Sequence, residues 1–244
     1  MDTPKTDTLY AQSRKLVDAF KFDEQVTQVF SDMISRSVPG YHLMLDILAV
    51  LTEQTMHNGD KAYDLGCSLG ASTLAIRQNI TAENCRIIAV DNSSAMINSC
   101  EKVLQRDACK TPVELRCMNI LDIAFEPCKL ISMNLTLQFL PVDQHDPLIK
   151  EIADKIQPGG AFFLSEKICF DDDKRQLRLT ELHHQFKKHQ GYSDLEIAQK
   201  RSAIENVLIP QSIEQHKQRL LNAGFSQVVI GLQCLNFVSF IAYK

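Results

Sequence analysis

The sequence predicts an α/β fold built on a doubly wound, mostly parallel sheet. Short apolar runs alternate with amphipathic stretches of roughly 10–15 residues, the pattern of βαβ units. A glycine-containing loop joins the first run to its helix, and an aspartate ends the second run.

Before the alternation begins, the chain reads as helical. Phe22-Asp23-Glu24-Gln25 opens a stripe of Val26, Val29, Phe30, Met33 and Ile34 at spacings of three and four, which Pro39-Gly40 ends. A second helix is expected from about Tyr41 to Met56, closed by His57-Asn58-Gly59-Asp60. Strands are then expected at Lys61 to Gly66, running into a turn, and at Arg86 to Val90, Val113 to Met118, Leu130 to Asn134 and Gly160 to Glu166. Helices between them are expected at Ala71 to Asn79, Ser94 to Gln105 and Asp143 to Ile156, and Gln157-Pro158-Gly159-Gly160-Ala161 reads as a turn into the fifth strand. From Asp171 to Val207 the alternation stops and a charged helical insertion is expected, with a helix start at Ser193-Asp194. A helix from Gln211 to Asn222 and strands at Gln227 to Gly231 and Asn236 to Ala242 close the chain, the last as an antiparallel strand inserted into the sheet.

At roughly 150 residues per domain, 244 residues suit a single domain spanning 1–244, with 1–59 as a helical cap and 171–207 as the insertion. Hydrophobic residues at 45% and charged residues at 23% exclude a disordered, collagen-like or disulfide-stapled chain. The net charge of −4 argues against a broad nucleic-acid surface. Eight cysteines, at 67, 85, 100, 109, 117, 128, 169 and 234, contain no CxxC pair and read as buried reduced thiols. The polar start lacks a signal core, and no apolar run nears the roughly 20 residues of a membrane span, so a cytoplasmic location is expected.

Four segments carry chemistry. In Asp64-Leu65-Gly66-Cys67-Ser68-Leu69-Gly70 the glycines allow close backbone approach to a ligand, and the following helix N-terminus directs amides at it. The loop is neither a P-loop nor a GxGxxG fingerprint, since Ser68 stands at the second glycine position and Gly70 comes one residue early. Asp91, 25 residues beyond Gly66, suits a ribose diol, while Ser93 is available to cap the next helix. After the third strand, Asn119 is an acceptor for an adenine amino group. Asn134 ends the fourth strand at the edge where a ligand would lie.

In this order the segments resemble class I S-adenosylmethionine-dependent methyltransferases, which implies a seven-stranded, Rossmann-like sheet with S-adenosylmethionine over its first strands. The longer segments Phe30-Ser31-Asp32-Met33-Ile34, Ser37-Val38-Pro39-Gly40-Tyr41, Asn134-Leu135-Thr136-Leu137-Gln138-Phe139-Leu140, Gly191-Tyr192-Ser193-Asp194-Leu195-Glu196-Ile197 and Gln199-Lys200-Arg201 resemble the bacterial carboxy-S-adenosyl-L-methionine synthase family. The resemblance spans about residues 20 to 244. It implies conversion of S-adenosylmethionine and prephenate to carboxy-S-adenosylmethionine and phenylpyruvate, the product serving a partner enzyme that carboxymethylates wobble hydroxyuridine in tRNA. It implies ligand contacts from Tyr41, Gly66, Cys67, Ser68, Asp91, Asn92, Asn119, Ile120, Asn134 and Arg201, no metal, a homodimer, and no direct binding of nucleic acid or membrane. Asn119 departs from the aspartate expected there, which changes the strength of the adenine contact more than its role.

In the family reaction prephenate loses carbon dioxide and hydroxide, and the deprotonated sulfonium methyl captures the carbon dioxide. Such a course asks for a closed, water-excluding pocket and no protein nucleophile. Arg201 is the catalytic choice, because a guanidinium offers a carboxylate a planar fork of donors. Tyr41 is placed to wall the pocket. His183, His184 and His189 read as part of a solvated helix whose acidic start and basic end suit its dipole, and Asp122 reads as a turn residue. Two alternatives remain at this point: a methyltransferase acting on a small molecule or RNA, for which no Asn-Pro-Pro-Tyr motif follows the fourth strand, and a non-catalytic S-adenosylmethionine-binding protein.

Overall fold

A computed structural model describes residues 5–12, 20–204 and 207–244. Two helices lead: α1 (Glu24–Ser37), capped by the Asp23 carboxylate accepting from Val26 N, and α2 (Tyr41–Thr55). Strands β1 (Lys61–Leu65), β2 (Arg86–Asp91), β3 (Val113–Cys117), β4 (Cys128–Asn134) and β5 (Ile156–Lys167) alternate with α3 (Ala71–Asn79), α4 (Ser94–Arg106) and α5 (His145–Lys155). Then follow α6 (Asp173–His189), α7 (Asp194–Ile204), α8 (Ile213–Ala223), β6 (Gln227–Cys234) and β7 (Phe237–Tyr243).

The sheet has seven strands in the order β3-β2-β1-β4-β5-β7-β6. Strands β1 to β5 pair in parallel, and β7 enters antiparallel between β5 and β6. Strand order reverses between β1 and β4, so the crevice at their carboxyl ends is where an open α/β sheet takes its ligand.

Both faces are covered, as the near-continuous apolar strands require. Met44, Leu48 and Leu51 of α2 and Ile76 of α3 pack on Ala62, Ile87, Leu130 and Phe163. On the opposite face Ile149 and Ile152 of α5 and Leu220 of α8 pack on Tyr63, Ile88, Ile131, Phe162 and Phe240. A smaller cluster ties α1 to α4 through Val26, Val29, Met33 and Met96. Ser93 caps α4, as expected, accepting from Met96 N at 3.3 Å, which leaves Asp91 for another role.

Three expectations need correction. The turn at Gln157 to Ala161 lies inside β5 as a bulge: pairing jumps from Cys128↔Ile156 to Leu130↔Ala161, and Gly159 absorbs a φ of +74°. The cysteines are all free, but only Cys67, Cys85, Cys100 and Cys128 are buried, and Cys117 is exposed at a strand end. His183 is not solvated. It is 5% exposed, and its Nε2 lies 2.8 Å from the Ser37 carbonyl at the end of α1. Burial pushes its imidazole down to about 3, so it stays neutral. Among the described residues no helix is long and apolar enough to cross a membrane.

Candidate functional site

The site is assembled at the carboxyl ends of β1, β2 and β4. Gly66 and Cys67 both donate their amides to the Val90 carbonyl, at 2.8 and 2.9 Å, which folds the loop back over β2. Ser68 follows in a left-handed conformation, φ 49°, and its amide turns to the Asp91 carboxylate at 2.9 Å. The other Asp91 oxygen accepts from Ser93 N at 2.9 Å. Asp91 is therefore held at both oxygens by backbone donors while part of it stays accessible, with a lone pair on each oxygen left for a vicinal diol. Its carboxyl is raised above the ordinary value by burial, against the lowering effect of the two amides.

Cys67 contributes backbone only. Its side chain packs inward with Cys100, Ala89 and Leu104, and the Cys100 contact and burial push its thiol far up, so it is not a nucleophile. Asn92 is exposed beside Asp91. Asn119 stands after β3, its side-chain oxygen accepting from Leu121 N at 3.0 Å to start a short turn that contains Asp122, and Ile120 is buried beneath it.

Three buried polar atoms of the site, on Asp64, Ser132 and Asn134, lack a hydrogen bond of normal geometry. Asp64, 1% exposed, accepts from Thr73 Oγ1 at 2.6 Å through one oxygen; its Oδ1 makes no hydrogen bond of normal geometry, nor does the Ser132 hydroxyl in register beside it, which lowers the Asp64 carboxyl against burial. Asn134 donates to Ser72 Oγ at 3.3 Å, and its Oδ1 is likewise buried and unpartnered. Asp64 and Ser132 are register partners, so Asp64, Ser132 and Asn134 share one face of the sheet. Orphaned buried acceptors at the crevice fit a ligand that brings donors, as the ammonium and hydroxyls of S-adenosylmethionine do. Burial pushes Asp64 up to about 6. Tyr41, at the start of α2, faces Asp64; burial, and then that carboxylate, raise its phenol.

Arg201 stands apart from these residues. It is exposed on α7 and borders a groove of about 590 Å³ between α6 and α7 with His184, Lys188 and Glu181. Its charge is felt by Lys167 at the end of β5. Among the described residues no group of three His, Cys, Asp or Glu side chains is placed to hold a metal ion.

Sequence reading passed over Glu166. It is wholly buried, and its two oxygens accept from Leu137 N at 2.9 Å and Gln138 N at 3.0 Å, which anchors the segment after Asn134. Nothing local marks this role, because the amides it meets come from another strand's loop. Burial outweighs those donors and pushes Glu166 up to about 8. A folded value above the unfolded one means that its stabilisation is full below its ordinary range and is lost as pH rises through about 8. Glu166→Gln turns an NH2 toward one amide and should cost about 1–3 kcal/mol. Urea unfolding should show that cost, together with a flatter decline in stability from neutral to alkaline pH.

Residues 62–160 match the family model described as a methyltransferase domain. Among solved structures, an O-methyltransferase family protein from Burkholderia thailandensis superposes with a TM-score of 0.63 at 14% identity, over 94% of this chain and 65% of that one. Human N-acetylserotonin methyltransferase in complex with SAM gives 0.60 at 16%, over 91% and 55%. At these identities the likeness establishes the class I methyltransferase fold and nothing finer. Full-length relatives are nearer. The carboxy-S-adenosyl-L-methionine synthase of Hahella chejuensis is 50% identical over 243 residues, covering 98% of both chains. That of Pseudomonas syringae pv. syringae is 50% identical over 242 residues, with 98% of each covered. That of Colwellia psychrerythraea is 47% identical over 244 residues, the whole of both. With a methyltransferase fold, a ligand crevice at the strand-order reversal and relatives of this identity along its entire length, the chain belongs to the carboxy-S-adenosyl-L-methionine synthase family.

Proposed function

We propose that this protein makes carboxy-S-adenosyl-L-methionine from S-adenosyl-L-methionine and prephenate, releasing phenylpyruvate, and that the product supplies the donor for carboxymethylation of a tRNA wobble uridine by a separate enzyme. The observation that carries the reading is the full-length identity of 47–50% to proteins bearing the synthase name. S-adenosylmethionine supplies the sulfonium methyl on which the new carboxylate is built.

The chain's own residues bind, orient and exclude water. Asp91, already fixed by the amides of Ser68 and Ser93, accepts the ribose hydroxyls, with Asn92 beside it. Gly66, Cys67 and Ser68 meet the ligand with their backbone. Asn119 accepts from the adenine amino group with the second lone pair of its oxygen, and the Ile120 amide donates to a ring nitrogen. Asp64 and Asn134 offer their unpartnered oxygens to the amino-acid end. Tyr41 walls the pocket above Asp64. Arg201 is assigned to the transferred carboxylate as a bidentate donor. Its exposed place on α7 suits closure of α6 and α7 over the ligand, or packing in a homodimer, and light scattering at micromolar concentration checks the dimer. The protein is proposed to act in the cytoplasm without contacting tRNA.

Mass spectrometry of the nucleoside product, with and without prephenate, tests the function. A prephenate-dependent species heavier than S-adenosylmethionine by one carbon dioxide is expected, and Arg201→Met should reduce its formation by roughly tenfold or more, the worth of one charge-assisted hydrogen bond. Binding of S-adenosylmethionine without that species overturns the synthase reading and redirects the search to methyl acceptors.

A further inference from the structure

Lysines converge beyond the nucleoside crevice. Ser165 of β5 is the register partner of Asn134, so Lys167, two residues on, lies on the same face of the sheet one strand over. Lys167 is itself paired with Phe237 of β7. The ring of His183 stands edge-on to Phe237 at 5.2 Å, which seats this face of α6 over the end of β5. One helical turn along that face comes Lys187, in the field of both Lys167 and Lys200.

Among the described residues no carboxylate pairs with Lys167 or Lys187. Asp32 pairs with Arg36 at 2.6 Å, and Asp7 and Asp32 offset Lys200, whose ammonium donates to Ser37 Oγ at 3.0 Å. Asp194 pairs with Lys188, and Glu181 lies on the outer groove with Arg201. Glu166 points to the opposite face, into the amides of Leu137 and Gln138. Lys167 and Lys187 are both half-buried, and among the described residues neither ammonium has a hydrogen-bond acceptor or an ion-pair partner. Neither is sealed off, since neither is among the buried polar atoms without a partner. Of the remaining neighbours Arg201 is a cation, and the imidazoles of His183 and His184 are both pushed below their ordinary value, first by burial, so none supplies a negative charge.

We infer that Lys167 and Lys187 form a carboxylate-binding subsite for the acid co-substrate, holding the carboxylate that is kept rather than the one transferred. Two half-buried cations with no counter-ion are unfavourable in the free protein, and a bound carboxylate removes the penalty. Burial and the neighbouring cations hold Lys187 down to about 7. A carboxylate arriving there raises that value, so binding at neutral pH takes up a proton and weakens as pH rises. The subsite stands next to Asn134, so a ligand held there has its other end over the crevice.

The inference rests on the function proposed above, and its test separates the two. If wild type forms the carboxylated product, Lys187→Met and Lys167→Met should each raise the KM for prephenate by about tenfold or more. Affinity for S-adenosylmethionine should stay within about twofold by calorimetry, and Tm should hold or rise because a buried charge has been removed. Lys174→Met, an exposed charge change on the same helix, should leave KM alone. A purely structural lysine would instead lower Tm with KM intact. KM values within about twofold of wild type in both variants overturn the subsite while leaving the synthase in place. If wild type forms no carboxylated product, the proposed function fails and calorimetric binding of phenylpyruvate decides the subsite. Binding with proton uptake that Lys187→Met abolishes supports it, and binding that is absent or indifferent to Lys187 overturns it.

Discussion

An Asp91→Ala variant is expected to bind S-adenosylmethionine at least about a hundredfold more weakly than the unaltered chain. Each hydrogen bond from a ribose hydroxyl to a carboxylate is worth about 1.5–3 kcal/mol, and Asp91 is placed to accept two. The side chain also closes the loop, because both its oxygens are held by amides, from Ser68 and Ser93 at 2.9 Å each. Part of the alanine effect is therefore a loosened loop. Asp91→Asn keeps one acceptor oxygen and the size of the side chain but turns its NH2 toward one of the two amides, so it should lose roughly tenfold or more in affinity and about 1–3 kcal/mol in stability. Titration calorimetry reads both, and an alanine variant within threefold of wild type would take Asp91 out of the site.

The largest effect on stability is expected at Gly66. Its φ of +80° lies in the left-handed region, and an added Cβ would sit 2.2 Å from Thr136 Oγ1 and 2.6 Å from Thr136 Cγ2. The left-handed conformation alone costs an alanine about 1–2 kcal/mol, and overpacking of this kind typically adds about 1–3 kcal/mol. In a chain of this size each kcal/mol shifts Tm by roughly 2–4 °C, so Gly66→Ala should melt about 5–15 °C lower. Adding Thr136→Gly removes the atoms the methyl strikes and should recover part of the loss, leaving the backbone penalty. A single variant that melts like wild type would show that the approach of β1 to the segment after β4 is looser than its geometry indicates.

Much of the crevice was legible because it is local. A glycine two residues after an aspartate at a strand end, and a second aspartate at the end of the next strand, are sequence-near consequences of one βαβ unit. Cys67 shows the limit of such reading. Its neighbours in sequence place it in the loop, but its side chain is turned to Cys100 on α4, which no spacing reveals. His183 shows another. Its helix is charged at both ends, as a solvated helix would be, but Ser37 and Phe237 close over that one position. Family resemblance carried Arg201 to the ligand by position alone, whereas the fold sets it on the exposed side of α7, with Lys167 feeling its charge from the sheet.

By itself the sequence determined the alternation of strands and helices, the loop after β1, the place of Asp91 at the end of β2 and the family. These are set by periodicity, by turn chemistry and by runs of residues adjacent in the chain. Only the tertiary structure decided that residues 157–161 form a bulge inside β5, that Glu166 anchors the segment after β4 and that, among the described residues, Lys167 and Lys187 converge without a counter-ion. The reason is physical: burial, charge and hydrogen-bond completion at these positions depend on partners from distant parts of the chain, and sequence neighbours carry no record of them.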